Sequence, residues 1–389
     1  MKDKIAIACG CRKLNYGSIL QSYALCEVIK KMNYDCEFVW VSGNLFKHYN
    51  IRWQKICGVF VNVLKTPSLF PKVVRSCFSV YKSKQQFSQN AIDKFNDFKA
   101  NRFNIKLYSY NELKKRQKEY KCCVCGSDQI WNTYELYMDP MYFLQFAEPS
   151  KRVAYAPSMG TDSISSYNKK VVKKYLSHFK AISVREKSSV GLLKDLIKRD
   201  VPVVLDPTLL LTAHQWEESL KLDLDDNMCA SPYCLVYFLN EPSQNALKMI
   251  EETREKFKIK AIPYKYACYK DDECVDAGPT EFVKLIKNAD YIITDSFHGT
   301  IFSINFNKKF LVFERQYNAA NSQSTRLKSI LEQLDLLDRY DGEFKSELKC
   351  QDVLSKGIDY NTVNSKLMEL RKESLMWLSD AIDTESAEY

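Results

Sequence analysis

Glycine is scarce in this chain, with 11 in 389 residues, under half of ordinary usage. Neither G-x-G-x-x-G nor G-x-x-x-x-G-K-[ST] occurs, which weighs against a standard dinucleotide site or a P-loop. No uncharged apolar run is long enough to span a bilayer, so no membrane-crossing helix is expected. The opening MKDKIAIACG runs directly into a strand pattern without the profile of an export signal. A cytoplasmic location is therefore expected, and the 14 cysteines are expected to be reduced thiols. Cys122 and Cys125 have C-x-x-C spacing, but they lie in a strand-like run and no second Cys/His pair stands at a metal-like distance. Structural zinc needs four ligands, so a buried packing role is expected, with no metal and no bound cofactor. One further absence is local: no Asp or Glu occurs from Phe38 to Ile92.

What remains is a chain 46% hydrophobic and 27% charged, as soluble globular proteins are, and long enough for two domains. Apolar runs read as strands at Ile5–Cys9, Phe38–Val41, Cys122–Cys125, Arg152–Ala156, Ile182–Val184 and Val203–Leu205. Helical patterns lie between them, notably Ser18–Met32, Tyr167–His178 and Lys187–Leu196. A connecting helix, Thr212–Leu220, and a polar linker precede a second set. Its strands are Tyr233–Leu239, Lys258–Ile262, Tyr291–Thr294 and Phe310–Phe313, and a long final helix runs from about Val363 to Ile382. Alternation of this kind predicts parallel sheets with helices on both faces. The expected fold is α/β, two Rossmann-like domains facing a cleft, similar to the GT-B architecture, with a C-terminal helix packing back. The expected division is an N-terminal domain over 1–211 with a basic helical insertion at about 45–92, a C-terminal domain over 212–345 that binds the donor, and a helical segment over 346–389.

The most informative stretch is Tyr291–Arg315, YIITDSFHGTIFSINFNKKFLVFER. A buried strand ends at Asp295-Ser296-Phe297-His298-Gly299, a helix is expected from about Thr300 to Phe306, and a second strand returns. His298 is one of four histidines and the one that stands at a strand-to-helix switch. In open α/β sheets ligands bind at that edge, where helix N-termini favour anions. Asp295 is expected to orient His298 or to cap the helix.

The acid-free segment carries eight Lys/Arg, from Lys47 to Lys84, interleaved with Trp53, Phe60, Leu64, Phe70 and other apolar residues. That mixture suits an interfacial membrane helix. An ordinary helical insertion with a solvated basic face suits it as well, and both readings stay open. Nucleic acid is not expected as a partner: the net charge of +9 would allow it, but no recognised module is present.

Six short segments then line up: Asn15-Tyr16-Gly17-Ser18 with Gln21–Leu25, Gly126–Asn132, Tyr155–Gly160, Ser183–Glu186, Leu205–Thr208 and Asp295–Thr300. In this order they resemble the polysaccharide pyruvyl transferase family, over about Ile5 to Arg315. The resemblance implies a GT-B-like fold with phosphoenolpyruvate in the inter-domain cleft. It implies transfer of a pyruvyl group to two hydroxyls of a sugar, giving a cyclic ketal and phosphate. The sugar belongs to a polysaccharide precursor such as those of capsules and exopolysaccharides, free or lipid-linked. A lipid-linked acceptor would bring the protein to the inner face of the membrane as a peripheral protein.

His298 matches the family's donor-binding histidine, and Arg185 the arginine that grips the donor. An imidazole can protonate the methylene carbon or the leaving phosphate, and a guanidinium can bind carboxylate or phosphate in bidentate fashion. A surface pair with Glu186 is the structural alternative for Arg185. Asp128 is the candidate base for the sugar hydroxyl, and Trp131 the candidate stacking surface for the sugar ring. Asn15 and Gly17 offer a second anion site, and Ser296, Gly299, Thr300 and Arg315 complete the expected binding set. Asp206-Pro207 reads as a structural turn. One departure stands out: the family often has an arginine two residues before the histidine, where this chain has Ser296. Lys309, Arg315 and Arg326 are the candidate replacements. A GT-B glycosyltransferase using a nucleotide sugar is the alternative function. A non-catalytic carbohydrate-binding protein of the same fold is disfavoured by the presence of both Arg185 and His298.

Overall fold

The structure, a computed structural model, describes residues 2–11, 14–41, 51–82, 87–222, 232–264, 272–315, 324–341 and 356–384. Its first half holds β1 (Lys4–Ala8), α1 (Tyr16–Lys31), β2 (Asp35–Val41), α2 (Ile51–Lys65), α3 (Phe70–Lys82), α4 (Gln89–Arg102), β3 (Ile105–Tyr108), α5 (Tyr110–Arg116) and β4 (Cys122–Gly126). After these come β5 (Arg152–Tyr155), α6 (Lys169–Leu176), β6 (Ala181–Ile182), α7 (Lys187–Ile197), α8 (Pro207–Leu210) and α9 (Ala213–Leu220). The strands form one parallel sheet in the order β3-β2-β1-β4-β5-β6.

The second half holds β7 (Tyr233–Tyr237), α10 (Gln244–Arg254), β8 (Lys258–Ala261), β9 (Glu273–Cys274), α11 (Pro279–Asn288), β10 (Tyr291–Thr294), α12 (Phe297–Asn305), β11 (Lys309–Val312) and α13 (Ser324–Gln333). Its parallel sheet has the order β11-β10-β7-β8-β9. Both sheets are doubly wound, as the α/β alternation predicts. The chain order reverses between β1 and β4 in the first sheet and between β7 and β10 in the second. Ligands of such sheets bind outside the carboxyl ends of the strands flanking that reversal.

Strand side chains alternate between two faces, and the core follows that alternation. Ile5, Ile7, Cys122 and Val124 share one apolar cluster with Tyr233, Leu235 and Tyr237 of the second sheet. Ala6, Ala8, Cys123 and Cys125 pack on the opposite face of the first sheet. Cys122 and Cys125 therefore point to opposite faces of β4 and cannot share a metal. Both are buried free thiols, and burial pushes the Cys122 thiol up to about 12. Cys274, by contrast, is disulfide-bonded, which corrects the expectation that all the cysteines are reduced.

The shared cluster joins the halves. Tyr16 at the start of α1 stacks on Phe282 of α11, with ring centroids 4.5 Å apart, and its hydroxyl donates to Ala277 O at 2.7 Å. The last helix, α14 (Tyr360–Asp383), does pack back. Arg371 Nε donates to Leu209 O at 2.7 Å, Ser374 Oγ accepts from Leu205 N at 3.0 Å, and Asp383 pairs with Lys121 at 2.6 Å.

Candidate active site

The two switch points meet. After β1, Asn15 caps α1, its Oδ1 accepting from Ser18 N at 3.0 Å. After β10, Ser296 caps α12, its Oγ accepting from Gly299 N at 3.2 Å. The serine hydroxyl starts α12 at Phe297, three residues earlier than the apolar pattern predicts, so His298 lies in the first helical turn. The two helix starts touch: a Cβ on Gly17 would fall 1.9 Å from His298 Nδ1. Only a residue without a side chain lets the imidazole lie there.

Around this contact is a cavity of about 80 Å³, bounded by Asn15, Gly17, Asp128, Ser296, His298, Arg315 and Arg326, with Tyr16, Tyr237 and Phe282 among its apolar walls. Asp128 sits at φ 62° in the loop after β4, and Ser18 Oγ donates to its carboxylate. Arg315 Nε donates to Asp295 O at 2.9 Å.

Arg185 is behind the cavity, beyond Phe297, and is 5% exposed. Its Nη1 pairs with Asp206 Oδ2, and its guanidinium carbon lies 4.5 Å from the Phe297 ring centroid. Arg326 approaches the same ring at 5.6 Å. The Asp206 carboxylate also accepts from Ser127 Oγ at 3.0 Å, caps α8 through Thr208 N at 3.0 Å, and lies 3.8 Å from His298 Nε2. Arg185 Nε and Nη2 and His298 Nε2 are buried without hydrogen-bond partners among the described residues, which is uncommon for buried polar atoms.

The charges tune one another. Burial, with Arg185 and Arg326 nearby, pulls the His298 imidazole down to about 4, against the opposing pull of Asp206 and Asp128. Burial acts on Asp206 in the raising direction, but Arg185, His298 and the Thr208 bonds outweigh it and hold the carboxyl below its ordinary range. Burial and the neighbouring Arg185 and Arg315 bring Arg326 down to about 9. Two guanidinium groups, of Arg315 and Arg326, thus line the cavity, and that of Arg185 lies behind it, paired with Asp206. A bound anion would be favoured beside them.

Several sequence expectations need correction. Trp131 is fully buried, stacks on Phe143 with centroids 5.5 Å apart and donates its Nε1–H to Tyr142 O at 3.0 Å. It is a core residue with no face open to a sugar. Thr300 Oγ1 is tied to Ser296 O at 2.9 Å and Gly299 N to the Ser296 hydroxyl, so both serve the helix start rather than a ligand. Asp295 neither caps α12 nor touches His298; its oxygens accept from Leu239 N at 2.6 Å and Asn240 N at 2.9 Å. Arg185 and Glu186 are not a surface pair. Glu186 is buried and holds the loop after β5 through Ser158 Oγ at 3.0 Å and Met159 N at 2.9 Å. Lys309 is at the amino end of β11, against Tyr291, on the far edge from the cavity. Arg315 and Arg326 are the cations that line it. Asp206, read as a turn, caps α8 and is also the shared counter-ion of Arg185 and His298. Its motif was visible, but the partners that give it that role are remote in sequence.

Fold and site together define a two-domain α/β protein with an arginine-rich cleft at facing switch points. The chain belongs to the polysaccharide pyruvyl transferase family, whose profile matches residues 15–317; it is accordingly an enzyme. Among curated protein sequences none matches it. Solved structures similar over nearly the whole length include the S. aureus MnaA–UDP co-structure, at TM-score 0.47 and 10% identity, covering 98% of this chain and 91% of that one. A putative UDP-N-acetylglucosamine 2-epimerase from Listeria monocytogenes aligns at TM-score 0.46 and 9% identity, covering 100% of both chains. Acinetobacter baumannii MurG aligns at 0.41 and 8%, covering 98% and 99%. Likeness this distant carries nothing about ligands.

Proposed function

We propose that this enzyme transfers a pyruvyl group from phosphoenolpyruvate to two hydroxyls of a sugar in a polysaccharide precursor, forming a ketal and releasing phosphate. The observation that carries the reading is the convergence of His298, Arg315, Arg326 and Asp128 on one small cavity, with Arg185 behind it against Phe297. Phosphoenolpyruvate brings a carboxylate and a phosphate, and charged hydrogen bonds from guanidinium groups suit both.

Two C–O bonds form at C2 of the donor, and its C2–O bond to phosphate breaks. Of the two acceptor hydroxyl protons, one is matched by the proton that turns the donor methylene into a methyl group. The other is matched by the proton that leaves with phosphate. Asp128 accepts from the attacking hydroxyl. His298 is neutral while the site holds no anion. A bound trianion raises its pKa, so the donor itself charges the imidazole that protonates it, and Asp206 steadies the imidazolium.

The test is donor-induced thermal stabilisation. A ligand at about 100-fold its dissociation constant stabilises by ~2.7 kcal/mol. A shift with phosphoenolpyruvate and none with nucleotide sugars is expected. The reverse result transfers the site to a glycosyltransferase.

A further inference from the structure

The acid-free insertion has an inverted character. In α2, Trp53, Ile56, Phe60, Val61 and Leu64 are 58%, 54%, 62%, 42% and 65% exposed. At 3.6 residues per turn they fall within one arc of about 140°. The opposite arc faces the protein and carries small and polar residues, Gly58 and Asn62, with half-buried Val59 and Val63 at its margin. A Cβ on Gly58 would lie 2.5 Å from the Tyr137 ring, and Asn62 Nδ2 donates to Leu136 O at 3.0 Å and to Asn168 Oδ1 at 3.2 Å. Surface helices ordinarily turn the apolar stripe inward. On α3, Phe70 and Val74 continue the outward apolar face. Elsewhere among the described residues, the exposed large hydrophobic side chains are Leu107, Met368 and Met376.

The flanking charge is of one sign. Lys65 and Arg75 are exposed beside this face, while Lys55 and Lys72 are exposed on the far arcs of their helices, Lys72 donating to Tyr134 O, and no acidic residue occurs from Phe38 to Ile92. A second copy seated on the face would bring like charges together, which opposes a symmetric pairing. A surface that is anionic outside and apolar beneath complements both features.

We propose that the outward face of α2 and α3 docks on an acidic phospholipid bilayer, with Trp53, Phe60, Leu64 and Phe70 entering the boundary between headgroups and acyl chains. This docking stands apart from the identity of the donor. A second consequence does rest on the reading above: α2 sits on the loop 134–137, which continues the loop carrying Asp128. The bilayer then lies on the first-domain side of the cleft, where a lipid-linked sugar would enter.

Co-sedimentation of the full chain with vesicles tests the docking. Binding to vesicles containing phosphatidylglycerol, and not to phosphatidylcholine alone, is expected, and it weakens with salt. Lys65→Glu with Arg75→Glu should weaken it by about fivefold or more for each charge lost. Trp53→Ser with Phe60→Ser and Leu64→Ser should abolish it. All three side chains are more than half exposed, so the variant's melting temperature should match wild type. Brominated lipids should quench part of the tryptophan emission, and Trp53→Phe should remove that part. The idea fails if the wild type stays in the supernatant at every phosphatidylglycerol content in low salt, or if neither variant changes binding. It fails too if light scattering finds a dimer that the triple serine variant dissociates, which would assign the face to a second copy.

Discussion

Asp206 serves two cations, Arg185 by an ion pair and His298 at 3.8 Å. Replacing Arg185 with lysine keeps the charge but loses the fork. Losing one charged hydrogen bond costs ~1.5–3 kcal/mol, so phosphoenolpyruvate affinity should fall about tenfold or more in a calorimetric titration. Unchanged affinity would leave Arg185 a purely structural partner of Asp206. His298 makes a second prediction. Its pKa lies at about 4, below the ordinary 6.5. Between those values the unfolded chain takes up a proton that the folded site refuses. Stability from this group is therefore full above pH 6.5 and lost as the pH falls towards 4, by about 3 kcal/mol in all. His298→Gln should flatten the acid limb of the melting curve against pH. Equal limbs for the two proteins would show that the imidazole is not held neutral.

At this scale the strand-to-helix switch at His298 was legible, but the caps were not: the pattern offers Asp295, one residue before Ser296, as the cap of α12 and Asn15 as an anion-binding residue, whereas Ser296 and Asn15 are the caps. Trp131 was misread, and Asp206, rightly read as a structural turn, was read only in part, because their environments are built by remote chain: Phe143 for one, Arg185 and His298 for the other.

Among the elements, α1 and α12 meet end to end, and Gly17 is what lets them. Gly17→Ala would favour the helix by roughly 1 kcal/mol on propensity alone, yet its methyl would occupy the place of the His298 ring. Turnover should drop ~10²-fold, the scale of an ångström's misplacement, while the melting temperature changes little. Phosphate release and a thermal melt on the same sample check both halves of the expectation; unaltered turnover would mean that His298 is positioned by other contacts.

Element legibility followed burial. β1, β4, β7 and β10 are nearly continuous apolar runs because both sheet faces are covered, and the pattern finds them. β3 and β9 are edge strands with exposed positions, so no apolar signal marks them. The expected strand Val203–Leu205 is reduced to a single bridge, between Val184 and Val203.

For the whole molecule, the apolar cluster that runs from β1 to β7 makes the two sheets one cooperative unit, and chemical denaturation should show a single transition. Tyr16→Phe keeps the stack on Phe282 but strips the bond to Ala277 O. It should cost ~1 kcal/mol and leave the transition single. Two separated transitions in wild type would show that the halves unfold independently. The alternation of strands and helices made the two-domain plan readable, but the apposition of the domains depends on side chains such as Tyr16 and Trp216, the latter of α9 and packed against Tyr23 of α1 and Phe302 of α12, which sequence pattern records only as apolar.

The helix α14 has its own consequence at this scale. One end is fastened to the second half, where the Tyr360 hydroxyl donates to Lys308 O. The other end is fastened to the first, where Asp383 meets Lys121 and Tyr34. Its 24 residues make a rod of about 36 Å, pinned at both ends like a strut across a joint. A strut of fixed length forbids the halves to slide apart along it. With Arg371 on Leu209 O and Ser374 on Leu205 N along its middle, it makes the separation of the halves a quantity set by the length of a single helix.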